Sequence, residues 1–302
     1  MNKNKIKSIR SRLLNIAKEE QIDFNQILLL YFHERLLYRL SNSKYNSNFF
    51  LKGGILILST TNFKLRPTKD IDFLAENITN DLEKIKNVFK NISQIQFEDG
   101  VEFETDSIQV EKITEGAEYE GVRLNIIAYL GKARKRIQLD VGFGDVIVPQ
   151  AKTLNYPSLL EFEAPKINAY SLESIIAEKF EAMLKLGQIN SRMKDFYDIY
   201  MISKLKQFDG RVLQEAIYET FQKRGTSFET NPIIFKEKFA EDEQRIKMWN
   251  NYLKRINQES ISFHNIMNRL KTFLFPVYKA VINEKEFFRN WDNQNQEWIN
   301  YS

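Results

Sequence analysis

Residues 50–74 read FLKGGILILSTTNFKLRPTKDIDFL, and two short patterns inside them decide the fold. Gly53-Gly54 follows a strand-like Asn48–Leu51 and precedes an apolar run over Ile55–Thr61 that suits a short helix. Asp70-Ile71-Asp72 then opens a second apolar strand. At i and i+2 on a strand the two acids share a face, and Ile71 points to the other side. Two adjacent carboxylates repel unless a cation lies between them. Mg²⁺ is the natural cation, since it takes hard oxygen ligands from one or two carboxylates plus substrate phosphates. Glycines let backbone N–H groups approach an anion closely, and a helix start adds partial positive charge. Lys52, Ser59 and Thr60 lie nearby in sequence. The layout suits a nucleotide and its metal, although it has neither the Walker A nor the Rossmann spacing. A tight turn without ligand and a pair of solvated acids are the structural alternatives.

Working outward, residues 4–20 read as a basic amphipathic helix with Ile6, Ile9, Leu13 and Ile16 on one side. Asp23 is placed to cap a second helix, apolar nearly all round and therefore buried. Beyond the Asp-x-Asp strand come a helix over 79–93 and strands near 96–107, 122–129 and 135–143. In the last strand Ile137, Leu139, Val141 and Phe143 alternate with Arg136, Gln138, Asp140 and Gly142. Pro149, Pro157 and Pro165 mark 145–170 as a connection with little regular structure. Downstream the chain reads as almost wholly helical: a helix from Ser171 to Gly187, one over 191–204 and three more in 210–283. The expected organisation is an α+β core over 1–165 with N-terminal helices, and a helical C-terminal domain over 166–302 that completes the active site.

Asp140 lies on the polar face of its strand, where it can complete a metal triad with Asp70 and Asp72; Asp145 is the alternative ligand. On the helix LESIIAEKFEAMLK, Lys179 sits near the edge of an apolar stripe, as a phosphate-binding cation or as a snorkelling surface lysine. In SRMKDFYDIY, Asp195 and Asp198 share a helix face with Arg192 one turn before. These form either an ion-paired helix surface or an active-site base or orienter of Lys179. The basic run Lys132–Arg136 is a solvated turn or a guide for an RNA backbone. Phe287, Phe288, Trp291 and Trp298 read as anchors of the tail or of a partner.

Composition excludes several chemistries. The 302 residues contain no cysteine, which removes disulfides, thiol catalysis and zinc–thiolate sites and fits a cytoplasmic location. The two histidines, His33 and His264, fall on apolar helical segments and build no Ser–His–Asp or metal–histidine site. No apolar run is long enough to cross a bilayer, and the N-terminus lacks the pattern of a secretory signal. A net charge of +4 permits a polyanionic partner without requiring one.

Taken in order, FLKGGILIL…RPTKDIDFLA, EYEGVRLNIIAYLGKARKRIQLDVGFGD and AYSLESIIAEKFEAMLKLGQINSRMKDFYDIY resemble the AbiEii/AbiGii toxin family over roughly residues 45–205. Members are nucleotidyltransferase-fold proteins of bacterial toxin–antitoxin and phage-defence systems. The resemblance implies a DNA-polymerase-β-like core, a small mixed sheet with packed helices. It matches Gly53 and Gly54 to the first motif, whose second residue is more usually serine, and Asp70 and Asp72 to the second, which implies Mg²⁺. Lys179 matches the third motif and a phosphate contact; Asp195 matches the fourth and a catalytic acid or base. Asp140 stands where many members of the fold carry a third carboxylate. The implied activity is NMP transfer from an NTP, with the 3′ end of tRNA as an acceptor and translation as the target. A cognate antitoxin is the implied partner. Phosphorylation of Thr68 would add about −1.5 to −2 charges beside the carboxylates and repel NTP. The rival readings are a non-catalytic module binding NTP, RNA or antitoxin, and a metal-dependent glycosyltransferase.

Overall fold

The computed structural model describes residues 3–60, 66–115 and 119–301, with the side chains of 114, 115, 119 and 120 excepted. Residues 61–65 of the opening stretch and residue 118 of the second motif therefore lie outside the described residues. Two compact units divide the chain: Met1–Gly144 with Lys152–Ala169, and Asp145–Ala151 with Tyr170–Ser302.

The first unit begins with α1 (Lys3–Glu19), whose Ile9, Leu13 and Ala17 fall at four-residue spacing and bury against α2 (Phe24–Ser41). Asp23 caps α2 by accepting from the Asn25 N–H at 2.8 Å. Helix α2 is buried on all sides, charged residues included, and burial is tolerable only because those charges are paired. Glu34 meets Arg35 at 2.6 Å and accepts from Ser158 Oγ and the Leu159 N–H, which pins the 156–165 segment to α2. Arg39 forks onto both oxygens of Asp99 at 2.7 and 3.1 Å.

Next come β1 (Phe49–Lys52), α3 (Gly53–Ser59), β2 (Asp70–Ala75) and α4 (Leu82–Ser93), the last capped by Asp81. The meander β3 (Val101–Glu115), β4 (Tyr119–Leu130) and β5 (Ala133–Phe143) follows, then β6 (Lys152–Asn155) and β7 (Lys166–Ala169). One seven-stranded mixed sheet results, in the order β3-β4-β5-β2-β1-β7-β6. Strand β2 runs antiparallel to β1 and parallel to β5. Its buried side is an aromatic cluster in which Phe49 and Phe73 meet Phe89 of α4 at 5.2 and 6.3 Å between ring centroids. That packing commits Ile71 and Phe73 to one face and leaves Asp70 and Asp72 on the other.

The second unit is a helical assembly of α5 (Leu172–Leu186), α6 (Met193–Leu205), β8 (Phe208–Asp209), α7 (Gly210–Lys223), α8 (Glu237–Ala240), α9 (Glu243–Arg255), α10 (Phe263–Ile282), β9 (Arg289–Asp292) and β10 (Glu297–Asn300). Ser171 caps α5 through the Ser174 N–H, and Gly187, at φ +44°, ends it.

Two expectations are corrected. The proline-marked 145–170 segment supplies β6 and β7, because the free edge of β1 offers β7 a parallel partner that no local pattern announces. The C-terminal part is not wholly helical, since β8, β9 and β10 form a three-stranded sheet. Its tail is held by Trp291, fully buried with Nε1 donating to the Ser203 carbonyl at 2.7 Å, and by Trp298 stacked on Phe273. The tail-anchor reading of these aromatics fits that packing. Among the described residues no helix is long and apolar enough to cross a membrane.

Candidate active site

Strand register assembles the site in the first unit. Lys52 lies opposite Asp72, Asp72 beside Asp140, and Asp140 opposite Arg123, so four strands contribute one row of charge. Glu111 of β3 continues that row beyond Arg123, while Asp70 pairs in register with Gln138. Oxygens of Asp70, Asp72 and Asp140 lie within 4.8 Å of one another, all three residues half-buried. Trans ligands of an octahedral Mg²⁺ stand about 4.2 Å apart, so this hard-oxygen set fits such an ion.

The glycine corner is built against these acids. Gly53 takes φ +68°, and a Cβ there would lie 1.8 Å from Asp72 Oδ2, so the position tolerates only glycine. At Gly54 a Cβ would lie 2.9 Å from Thr68 Oγ1 and 3.3 Å from Arg66 Nη2. Thr68 and Arg66 thus fill the space that a serine at this position would need. Thr68 is buried, and its hydroxyl donates to Asp70 Oδ1 at 2.8 Å. Ser59 and Thr60 hydroxyls bond back to carbonyls of their own helix, at Leu56 and Ile57, and take no part in the corner.

Asp140 is held differently. Arg123 donates from Nε to Oδ1 at 2.8 Å and from Nη2 to Oδ2 at 2.7 Å, and the Gln138 amide reaches both oxygens at 3.2 and 3.3 Å. The hydrogen bond to Asp140 raises the Arg123 pKa, with burial opposing it. Arg123 and Gln138 were not anticipated. The alternation of Val122, Leu124, Ile126, Ala128 and Leu130 does mark residue 123 as facing away from the core, yet nothing local says which acid stands opposite. His33 on α2 is fully buried and pushed down to about 4 by burial, against the charge of Asp70. His264 is exposed on α10. Neither histidine joins the cluster.

The second unit holds a separate charged cluster. Lys179 Nζ lies 2.6 Å from Asp195 Oδ1 and 2.8 Å from Asp198 Oδ2, while Arg192 Nε reaches Asp195 Oδ2 at 2.7 Å. Asp195 is fully buried; burial raises its pKa, but Lys179 and Arg192 outweigh that and leave the carboxyl below its ordinary value. Both oxygens being committed to cations, Asp195 has the geometry of an orienter of Lys179. Asp145, the alternative metal ligand by sequence, instead accepts from Arg224, which also meets Glu178 and Glu181. The basic run follows the two-residue Gly131-Lys132 turn into β5, its arginines exposed and Arg136 bonded to Gln109.

A glycine corner pressed on an Asp-x-Asp strand is also what the comparisons with known proteins bring forward. A crystal structure of an H. pylori protein, described under a provisional nucleotidyltransferase label, superimposes with a TM-score of 0.50 at 12% identity, over 87% of this chain and 97% of that one. Its likeness extends to the fold. The crystal structure of JHP933 from Helicobacter pylori gives a TM-score of 0.47 at 14% identity, over 86% and 93% of the two chains. No curated protein matches the chain at a significant level. The family model described as nucleotidyl transferase AbiEii toxin, type IV toxin–antitoxin system, matches residues 35–273, which takes in both charged clusters. The chain belongs to the AbiEii family of nucleotidyl transferase toxins.

Proposed function

We propose that the chain transfers a nucleoside monophosphate from an NTP to a hydroxyl, most fittingly at the 3′ end of tRNA, and thereby blocks translation. The observation that carries this reading is the contact of Gly53 with Asp72 beside Asp70. It brings backbone N–H groups and two carboxylates to one point, as a polyphosphate and its cation require. Asp70 and Asp72 would hold Mg²⁺, which when bound neutralises polyphosphate charge and makes the attacking hydroxyl more acidic. The acceptor oxygen forms a bond to the α-phosphorus, the bond to the bridging oxygen breaks, and pyrophosphate leaves; the hydroxyl proton passes to solvent.

The chain's own residues supply position. Gly53 and Gly54 leave room for phosphate oxygens at the backbone, with Lys52 in register beside Asp72. Thr68 fixes the rotamer of Asp70. Lys179 is assigned to the triphosphate and Asp195 to holding Lys179, on the order of the family motifs and on the built ion pair. Positioning and charge compensation account for most of the rate in chemistry of this kind. Thr68 phosphorylation would set like charge against Asp70, although its burial means the segment must open first. The remaining parts of the reading are a cytoplasmic setting, a cognate antitoxin and a role in phage defence, and they rest on the family.

The test is incubation with each α-³²P-labelled NTP and with total RNA or purified tRNA. Label in RNA that disappears with Asp70→Asn supports the enzyme. Bound nucleotide without transferred label would establish the rival reading, a module that binds NTP, RNA or antitoxin without catalysis.

A further inference from the structure

The three acids of the site are not held alike. Asp70 is oriented by a neutral hydroxyl from Thr68, and Asp72 is packed against the Gly53 backbone. Asp140 instead has a permanent cation on both oxygens, in the side-on fork that is among the strongest carboxylate contacts. A guanidinium does not lose its charge near neutral pH and is weakly hydrated, so it serves well as a standing counter-ion. With side-chain exposures of 33% for Arg123 and 16% for Asp140, solvent screens the pair only in part. The Gln138 amide adds donors to the same two oxygens.

We infer that Arg123 and a divalent cation compete for Asp140, and that Arg123 wins: the metal is held by Asp70 and Asp72 alone, while Asp140 is a positioning residue that anchors Arg123. The site is then a one-ion site. A second ion would need Asp140 as a ligand, and Arg123 stands where its charge would be. This rests on the metal reading of Asp70 and Asp72, and the experiment separates the two.

Mn²⁺ alone is titrated into the full chain and free ion is followed by EPR. One Mn²⁺ binds; Asp72→Asn weakens binding about tenfold or more, the loss typical of a disturbed metal site. Asp140→Asn stays within about twofold of the unaltered protein. Arg123→Gln frees Asp140 and tightens binding about three- to fivefold, the worth of a partly exposed ion pair, and this gain vanishes in the Arg123→Gln/Asp140→Asn double variant. A tenfold loss in Asp140→Asn, a stoichiometry of two, or weaker binding in Arg123→Gln would overturn the inference and make Asp140 a ligand. Unchanged binding in both Asp70→Asn and Asp72→Asn would instead dismiss the metal reading itself. Should Arg123→Gln unfold, which circular dichroism reports, Asp140→Asn alone decides.

Discussion

Replacing Gly53 by alanine adds three hydrogens and one carbon, and the geometry makes that a severe change. The new Cβ would sit 1.8 Å from Asp72 Oδ2, 2.5 Å from Cγ and 2.8 Å from Cβ of the same residue. Close C···O contacts run at about 3.3–3.6 Å, so the oxygen must retreat by roughly 1.5 Å. Turning the Asp72 side chain clears Oδ2 and Cγ but not Cβ, whose position is fixed by β2 and its register with Lys52 and Asp140. The left-handed φ of +68° costs a further ~1–2 kcal/mol once a Cβ is present. At about 2–4 °C per kcal/mol for a domain of this size, the melting temperature falls by roughly 2–8 °C. Activity falls further, because a displacement of about 1 Å at a catalytic group can cost ~10²-fold. Scanning calorimetry and labelled-NTP transfer, measured on the same preparation well below the variant's melting point, separate the two effects. A Gly53→Ala protein with unaltered transfer and unaltered melting temperature would refute the argument.

The remaining predictions concern both units. Because the folded pKa of Asp195 lies below its ordinary value, its ion pairs contribute stability above about pH 4, and that contribution disappears as pH falls through the lowered folded value. Asp195→Asn should therefore be less stable at neutral pH by ~3–5 kcal/mol, the cost of breaking a buried pair, with the gap narrowing on acidification; denaturant titrations that keep the gap constant down to pH 2 would contradict this. Trp291→Ala empties a fully buried site touching Phe273 and Trp298 and should cost ~3–5 kcal/mol, read from the denaturation midpoint; a loss below about 1 kcal/mol would show the tail is not part of the core. Thr68→Glu should lower transfer at least about tenfold while Thr68→Val, which keeps the volume, loses less. Full activity in Thr68→Glu would remove the electrostatic basis for regulation at this position.

What could be read locally was read correctly where local physics decides. Asp23 and Ser171 are caps because short polar side chains satisfy free N–H groups within a few residues. The period of two in Asp70-Ile71-Asp72 placed both acids on one face, because a pleated strand leaves no other choice. The order of motifs was enough to indicate the family. Strand β7 escaped notice because its partner β1 lies more than a hundred residues away in sequence, and the small C-terminal sheet for a similar reason.

The candidate site divides along the same line. By itself the sequence determined which residue types are available: a glycine pair, two acids at strand spacing, a third acid on a polar strand face, a lysine and a further acid on helices. Only tertiary structure decided their neighbours. The parallel β2–β5 register brought Asp140 beside Asp72, and the β4–β5 hairpin then laid Arg123 across it. Register is a property of pairs of strands, set by which faces are buried together. No single stretch of sequence could state that the third carboxylate already has its cation.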